Sequence, residues 1–202
     1  MALITFPGYD RFKSFQWTSL DIVGESSSPF TGSAEYQEHP GKLWTGQFTW
    51  RFYTEEEARA YDVFLRSLRG KVNTFLLRHP LATTRGVATG TPVINGTGQT
   101  GMSLATSGWT PSTTNILRAG DYISFDQVSI TRLYQVIEDV DSDASGEATL
   151  SIWPNLRVAT VDATAITTTD AVGTFRLANN GPRSAVTPPF QYDWTVEFRE
   201  AI

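Results

Sequence analysis

The sequence predicts a mainly β protein with one α-helix, and three observations carry that prediction. Two segments near opposite ends of the chain alternate apolar and polar residues with the period of a half-buried strand. One stretch alone has helical periodicity with matching start and stop signals. The middle is rich in Thr, Gly and Ser, with strand-like runs separated by turn signals. Aromatic residues are 12% and charged residues 18% of the 202-residue chain, a balance that favours strands over helices.

In chain order, "SFQWTSLDIV" alternates through Phe15 and Trp17 and then slips phase to Leu20 and Ile22, which predicts a bulge near Thr18 and Ser19. In "WTGQFTWRF", Trp44, Gly46, Phe48, Trp50 and Phe52 alternate with Thr45, Gln47, Thr49 and Arg51, so one face is expected in a core. "TEEEARAYDVFLRSLRG", residues 54 to 70, is the helix. Thr54 and Glu57 form a capping-box pattern, Glu55, Glu56 and Glu57 load the first turn with acid, Arg66 and Arg69 load the last with base, and Gly70 is the stop. Ala58, Tyr61, Phe64, Leu65 and Leu68 share one face, so the helix has to cover something apolar. "VNTFLLR" is the next strand, ended by Pro80.

From about residue 84 to 180 the texture changes. "ATGTPVINGTGQTG" and "TSGWTPSTTN" read as loops or short strands, followed by firmer strands at "DYISF", "RLYQVIEDV", "EATLSIWP" and "GTFRL" with the spacing of a small barrel or sandwich. "NNGPRSAVTPP" reads as a linker to the final strand, "FQYDWTVEF", where Phe190, Tyr192, Trp194, Val196 and Phe198 form the apolar face. An aromatic final strand needs a sheet to join, and the first 80 residues offer one. The expected organisation is therefore a discontinuous outer domain of residues 1–82 and 183–202 around an inserted β domain of residues 83–182, with one elongated sandwich as the rival arrangement.

Several function classes lose ground on composition. There is no cysteine, so disulfides and thiolate metal sites are excluded, and no apolar run approaches the roughly 20 residues that span a bilayer. The opening "MALITFPGYDRF" lacks the pattern of a secretory signal, which points to folding in a reducing cytoplasm. Net charge is −5 with no basic stripe, which argues against tight nucleic-acid binding. The two histidines, His39 and His79, lie beside prolines at strand ends and read as turn residues rather than bases. No nucleophile elbow or phosphate-cradling motif is present, so neither enzyme chemistry nor a cofactor is expected. In "DVDSDASGE", Asp139, Asp141 and Asp143 have the first spacings of a calcium loop, but Ala144 stands where Gly is needed and Leu150 where the bidentate Glu belongs. That segment is expected to be a hairpin loop without a metal. Most aromatics occupy the alternating core positions; Trp109, in the loop-like "SGWTPS", is the exception and so the candidate glycan-contact residue, and its simpler reading is a cap on the inserted domain.

The run "WTGQFTWRFYTEEEARAYDVFLRSLRGKVNTFLLRHP", followed by "LRAGDYISF", "RLYQVIEDVDSDASGEATLSIWPNLR" and "GTFRL", resembles distal tail proteins, minor tail proteins of long-tailed bacteriophages. The resemblance implies a β belt domain with one helix and an inserted oligosaccharide-binding-fold-like or lectin-like β-barrel. It further implies a virion protein, made in the host cytoplasm, that forms a homo-oligomeric ring, a hexamer, between the tail tube protein and the tail hub and tip proteins. DNA would pass through the ring without specific binding, and the inserted domain would be free to hold side fibres or touch host surface glycans. No functional side chains carry over from the family. In such a ring the exposed Arg59, Arg66 and Arg69 of the helix become candidate subunit-interface residues. The alternatives are a carbohydrate-binding adhesion module, another tail-end ring protein such as a terminator or adaptor, and a β-rich hydrolase.

Overall fold

The computed structural model describes residues 2–181, 183–187 and 191–202, with the backbone alone for 183–187 and 191. Among the described residues the chain is mainly β with one helix, and its sheets curl towards a half-barrel. The first sheet contains β1 (Leu3–Ile4), β2 (Phe12–Ser27), β3 (Ala34–Phe52), β4 (Thr74–Arg78), β10 (Val172–Leu177) and β12 (Gln191–Glu200), in the spatial order β1-β4-β10-β12-β3-β2. β11 (Arg183–Thr187) pairs with the first half of β12. The second sheet runs β5 (Gly90–Ile94), β6 (Gly101–Trp109), β9 (Ala148–Leu156), β8 (Ile130–Val136) and β7 (Tyr122–Gln127).

The apolar faces fall where the alternation places them. Trp44, Phe48, Trp50 and Phe52 of β3 are buried, as are Val196 and Phe198 of β12. β3 and β12 pair antiparallel from Tyr192 opposite Phe52 to Arg199 opposite Thr45, so their aromatics share one core. The helix α1 (Glu55–Ser67) lies over that core, with Ala58, Tyr61, Phe64, Leu65 and Leu68 buried. Tyr61 meets Trp50 and Phe52 at ring distances of 4.7 and 4.5 Å. Burying each such side chain contributes roughly 1.5 to 3 kcal/mol. Only half of the expected capping box forms: the Thr54 hydroxyl accepts the Glu57 amide at 3.3 Å, while the Glu57 carboxylate pairs with Arg11. The stop is shared, since both Arg69 (φ 50°) and Gly70 (φ 63°) are left-handed.

Three local expectations need correction. The slip in β2 lies between Leu20 and Ile22, further along than Thr18 and Ser19, and the extra residues are on β3, where Leu20 faces Leu43 but Ile22 faces His39. Pro40, which has no amide to give a ladder, sits in that bulge. The "GTFRL" segment, expected in the inserted domain, is β10 of the first sheet, between β4 and β12. Part of the expected linker "NNGPRSAVTPP" is β11; Pro182 and residues 188–190, including Phe190, lie outside the described residues.

The second sheet closes on itself through a short return segment. Ile94 and Ile166 donate amides to Thr164 and Pro92 carbonyls at one edge, and Ser124 and Thr167 exchange two bonds at the other. Residues 164–167 thus bridge β5 to β7 and turn five strands into a small barrel around Leu104, Ile123, Tyr134, Leu150 and Ile152.

Candidate functional site

β2 and β3 are 16 and 19 residues long, and they outrun every other strand. β12 accompanies β3 only from Thr45 onward, so among the described residues β3 upstream of that point has β2 as its sole ladder partner. The ladder continues from Ile22 opposite His39 to Ser27 opposite Ala34, a two-stranded arm about 20 Å long at roughly 3.3 Å per residue. No residue from 20 to 40 is buried. An isolated two-stranded ribbon of this kind is marginal in water, because neither face has a core to join.

The tip is nevertheless built. The Ser28 amide donates to the Ser33 carbonyl at 2.8 Å, the Gly32 amide to the Ser28 carbonyl at 3.0 Å, and the Ser28 hydroxyl accepts from the amides of Phe30 and Thr31. Gly32 takes φ 69°, which glycine adopts without strain. This loop holds Phe30 at its apex with 95% of its surface in solvent. Val23 and Tyr36 follow on one face of the ribbon, beside Glu25 and Glu38.

The foot of the arm is fastened to the barrel. Lys42, buried at 5%, pairs with Asp21 and Glu38 and donates to the Met102 sulfur. The Trp153 indole donates to Asp21 at 3.1 Å, and Arg157 reaches the Pro40 carbonyl. Just below, Glu200 receives Arg157 at 2.9 Å, Arg132 at 3.5 Å and the Trp44 amide at 3.3 Å, all in buried surroundings. The Trp44 indole donates to the Leu133 carbonyl at 3.0 Å and its ring meets Trp153 at 4.2 Å. These contacts fix the direction in which the arm leaves the first sheet.

His79 belongs to the same seam. Its ring stacks on Tyr122 at 4.4 Å and meets Trp17 edge-on at 4.7 Å, and its Nδ1 accepts the Leu81 amide. Burial lowers its pKa to about 4 and raises that of Tyr122 to about 12. His79 is thus a neutral packing group between the sheets, where the sequence suggested an exposed turn.

The other singled-out residues are placed as follows. Arg59 and Arg66 stand on the solvent face of α1, each bonded to an acid of its own helix, Glu55 at 2.5 Å and Asp62 at 2.8 Å. Arg69 is exposed in the turn after the helix. Trp109 ends β6 rather than lying in a loop; it is buried at 3%, and its indole donates to the Thr106 hydroxyl at 2.8 Å. A sugar-stacking platform needs an open ring face, and Trp109 has none to offer. Asp139, Asp141 and Asp143 each accept backbone amides of the surrounding loops, and among the described residues no group of three or more His, Cys, Asp or Glu is arranged to hold a metal. No helix among the described residues is long and apolar enough to cross a membrane.

The arm itself has no sequence expectation behind it. Its only signal is "SSSPFTGS", a turn-rich run between "DIVGESS" and "SAEYQEH". Both faces of the ribbon are solvated, so the alternation that marks the other strands is faint there. No protein-family model matches the chain, and no curated protein matches it.

Proposed function

We propose that this chain is a structural ring subunit of a bacteriophage tail tip, joining the tail tube to the hub and tip proteins around the DNA path. The observation that carries this reading is the arm: an ordered, braced ribbon that exposes Val23, Phe30 and Tyr36 with no covering partner among the described residues. Such a device gains stability only by being covered, and extended arms that reach a neighbouring copy generate closed assemblies when the rotation between copies closes. The order of elements that resembles distal tail proteins supports the tail-tip setting, and a ring of six is the form that resemblance suggests. The acidic balance of the chain suits a wall past which DNA slides.

Size-exclusion chromatography with light scattering tests the reading on the intact chain and on a trimmed variant, in which residues 24–37 are replaced by an Asn-Gly turn so that Glu38 stays with Lys42. The intact chain is expected to form a discrete oligomer, and the trimmed chain to be a monomer that unfolds as before. An intact chain that remains monomeric at high concentration, both alone and with tube and hub proteins, overturns the proposal.

A further inference from the structure

The arm is not only apolar but one-sided in charge. Residues 20–40 contain Asp21, Glu25, Glu35 and Glu38 and no Lys or Arg. Lys42 at the foot engages Asp21 and Glu38, which leaves Glu25 and Glu35 without an ion-pair partner among the described residues. A surface that receives this arm should therefore be apolar and basic.

Such a surface lies at the far end of the same sheet. Residues 63–72 contain Arg66, Arg69 and Lys71 and no acid. Val63 and Val72 are 66% and 57% exposed there, and Leu3 of β1 is 59% exposed. Asn73 holds these pieces together: its side chain donates to the Ser67 carbonyl at 2.9 Å and accepts the Ala2 amide at 3.0 Å, and its own amide donates to the Leu68 carbonyl at 3.0 Å. The helix end, the turn after it and the start of the edge strand β1 are thus held side by side, with Arg69, Lys71 and Val72 exposed between them. Arg66 is engaged by Asp62, while Arg69 and Lys71 have no ion-pair partner among the described residues.

We infer that the acidic arm of one copy docks on the basic patch formed by the end of α1 and the β1 edge of a second copy. The inference rests on the ring reading and names the surface it uses. The arm grows from β2, and the patch sits on β1, which are the two opposite ends of the sheet. With the two surfaces at opposite ends, each copy gives an arm on one side and receives one on the other. A two-fold dimer would need both arm-to-patch contacts to form reciprocally about one axis, and light scattering distinguishes that dimer from a ring. Phe30, Val23 and Tyr36 supply the apolar contact around Val72, and the charges fix polarity and register more than affinity.

The chain has no cysteine, so pairs of new thiols report contacts cleanly. The experiment mixes Tyr36→Cys with Val72→Cys under oxidising conditions and compares each alone, beside light scattering of the wild type, of Glu25→Lys with Glu35→Lys, and of Arg69→Glu with Lys71→Glu. Expected are Tyr36–Val72 cross-links between chains in the mixture, loss of assembly by about tenfold or more in concentration for each charge-reversed pair, and recovery when the two reversed variants are mixed. If the wild type assembles but the cross-links form only between identical positions, or the reversals leave assembly unchanged, the docking surface is wrong while the ring reading stands. If the wild type never assembles and no cross-link forms, the ring reading falls and takes this inference with it.

Discussion

Replacing Glu200 by Gln tests the seam that aims the arm. The carboxylate is 4% exposed and stands between two guanidiniums, Arg157 at 2.9 Å and Arg132 at 3.5 Å. Gln has nearly the same volume, so no cavity opens, and the change removes only the charge. Two buried cations then face each other with no anion, and breaking a buried pair in this way costs about 3 to 5 kcal/mol. That is a large part of the roughly 5 to 15 kcal/mol by which a folded chain is stable. In a urea titration followed by tryptophan fluorescence, with a slope of about 2 kcal/mol per molar, the midpoint should fall by about 2 M. The companion variant Arg132→Met, Glu200→Leu, Arg157→Met should recover most of the loss, because an apolar cluster needs no counterion. A midpoint that falls by less than about 0.5 M in Glu200→Gln would show that water reaches the cluster and that the seam is not the brace described above.

Three further outcomes follow from the same geometry. His79 has a folded-state pKa of about 4 against 6.5 when unfolded, so its contribution is complete above pH 6.5 and is lost as pH falls towards 4. Between those limits the loss amounts to about 3 kcal/mol, and His79→Gln should remove that part of the slope in pH-dependent urea titrations; an unchanged difference curve would place His79 in water. A Cβ on Gly46 would lie 2.2 Å from the Gln16 carbonyl and 2.8 Å from the Phe198 ring, so Gly46→Ala should cost about 3 kcal/mol in thermal or urea unfolding, and a neutral result would mean that β2 and β12 shift freely past β3. Trp109→Ala should cost about 3 to 5 kcal/mol through the cavity it leaves, and a glycan array should give the same pattern for variant and wild type; a stable variant that has lost a glycan signal would restore the platform reading.

The parts of this fold that are legible in the sequence are those in which burial imposes a period. The face of Ala58, Tyr61, Phe64, Leu65 and Leu68 and the alternation through Trp44 to Phe52 both describe contact with one core, and both are found there. Sheet membership is a different matter. "GTFRL" shows that it is a strand, but nothing within five residues says that Phe175 will lie opposite Phe75 and Glu200 instead of inside the barrel. Trp109 misled for a similar reason, since its Gly, Ser and Pro neighbours signal a loop while its indole is taken up by Thr106. The arm was hidden because it is solvated on both faces, and a strand without a dry side has no period to read. Arg59, Arg66 and Arg69 could be placed on a solvent face from spacing alone, whereas the patch they border depends on Asn73 bringing Ala2 to the helix end.

The central claim is that copies of this chain join arm to neighbour in a closed ring. Electron microscopy of the purified intact chain, mixed with its tail tube protein, tests it most directly. Closed rings with a central opening, in which each subunit's arm lies across the next, are the predicted result. Isolated monomers, two-fold dimers or open-ended filaments would contradict it.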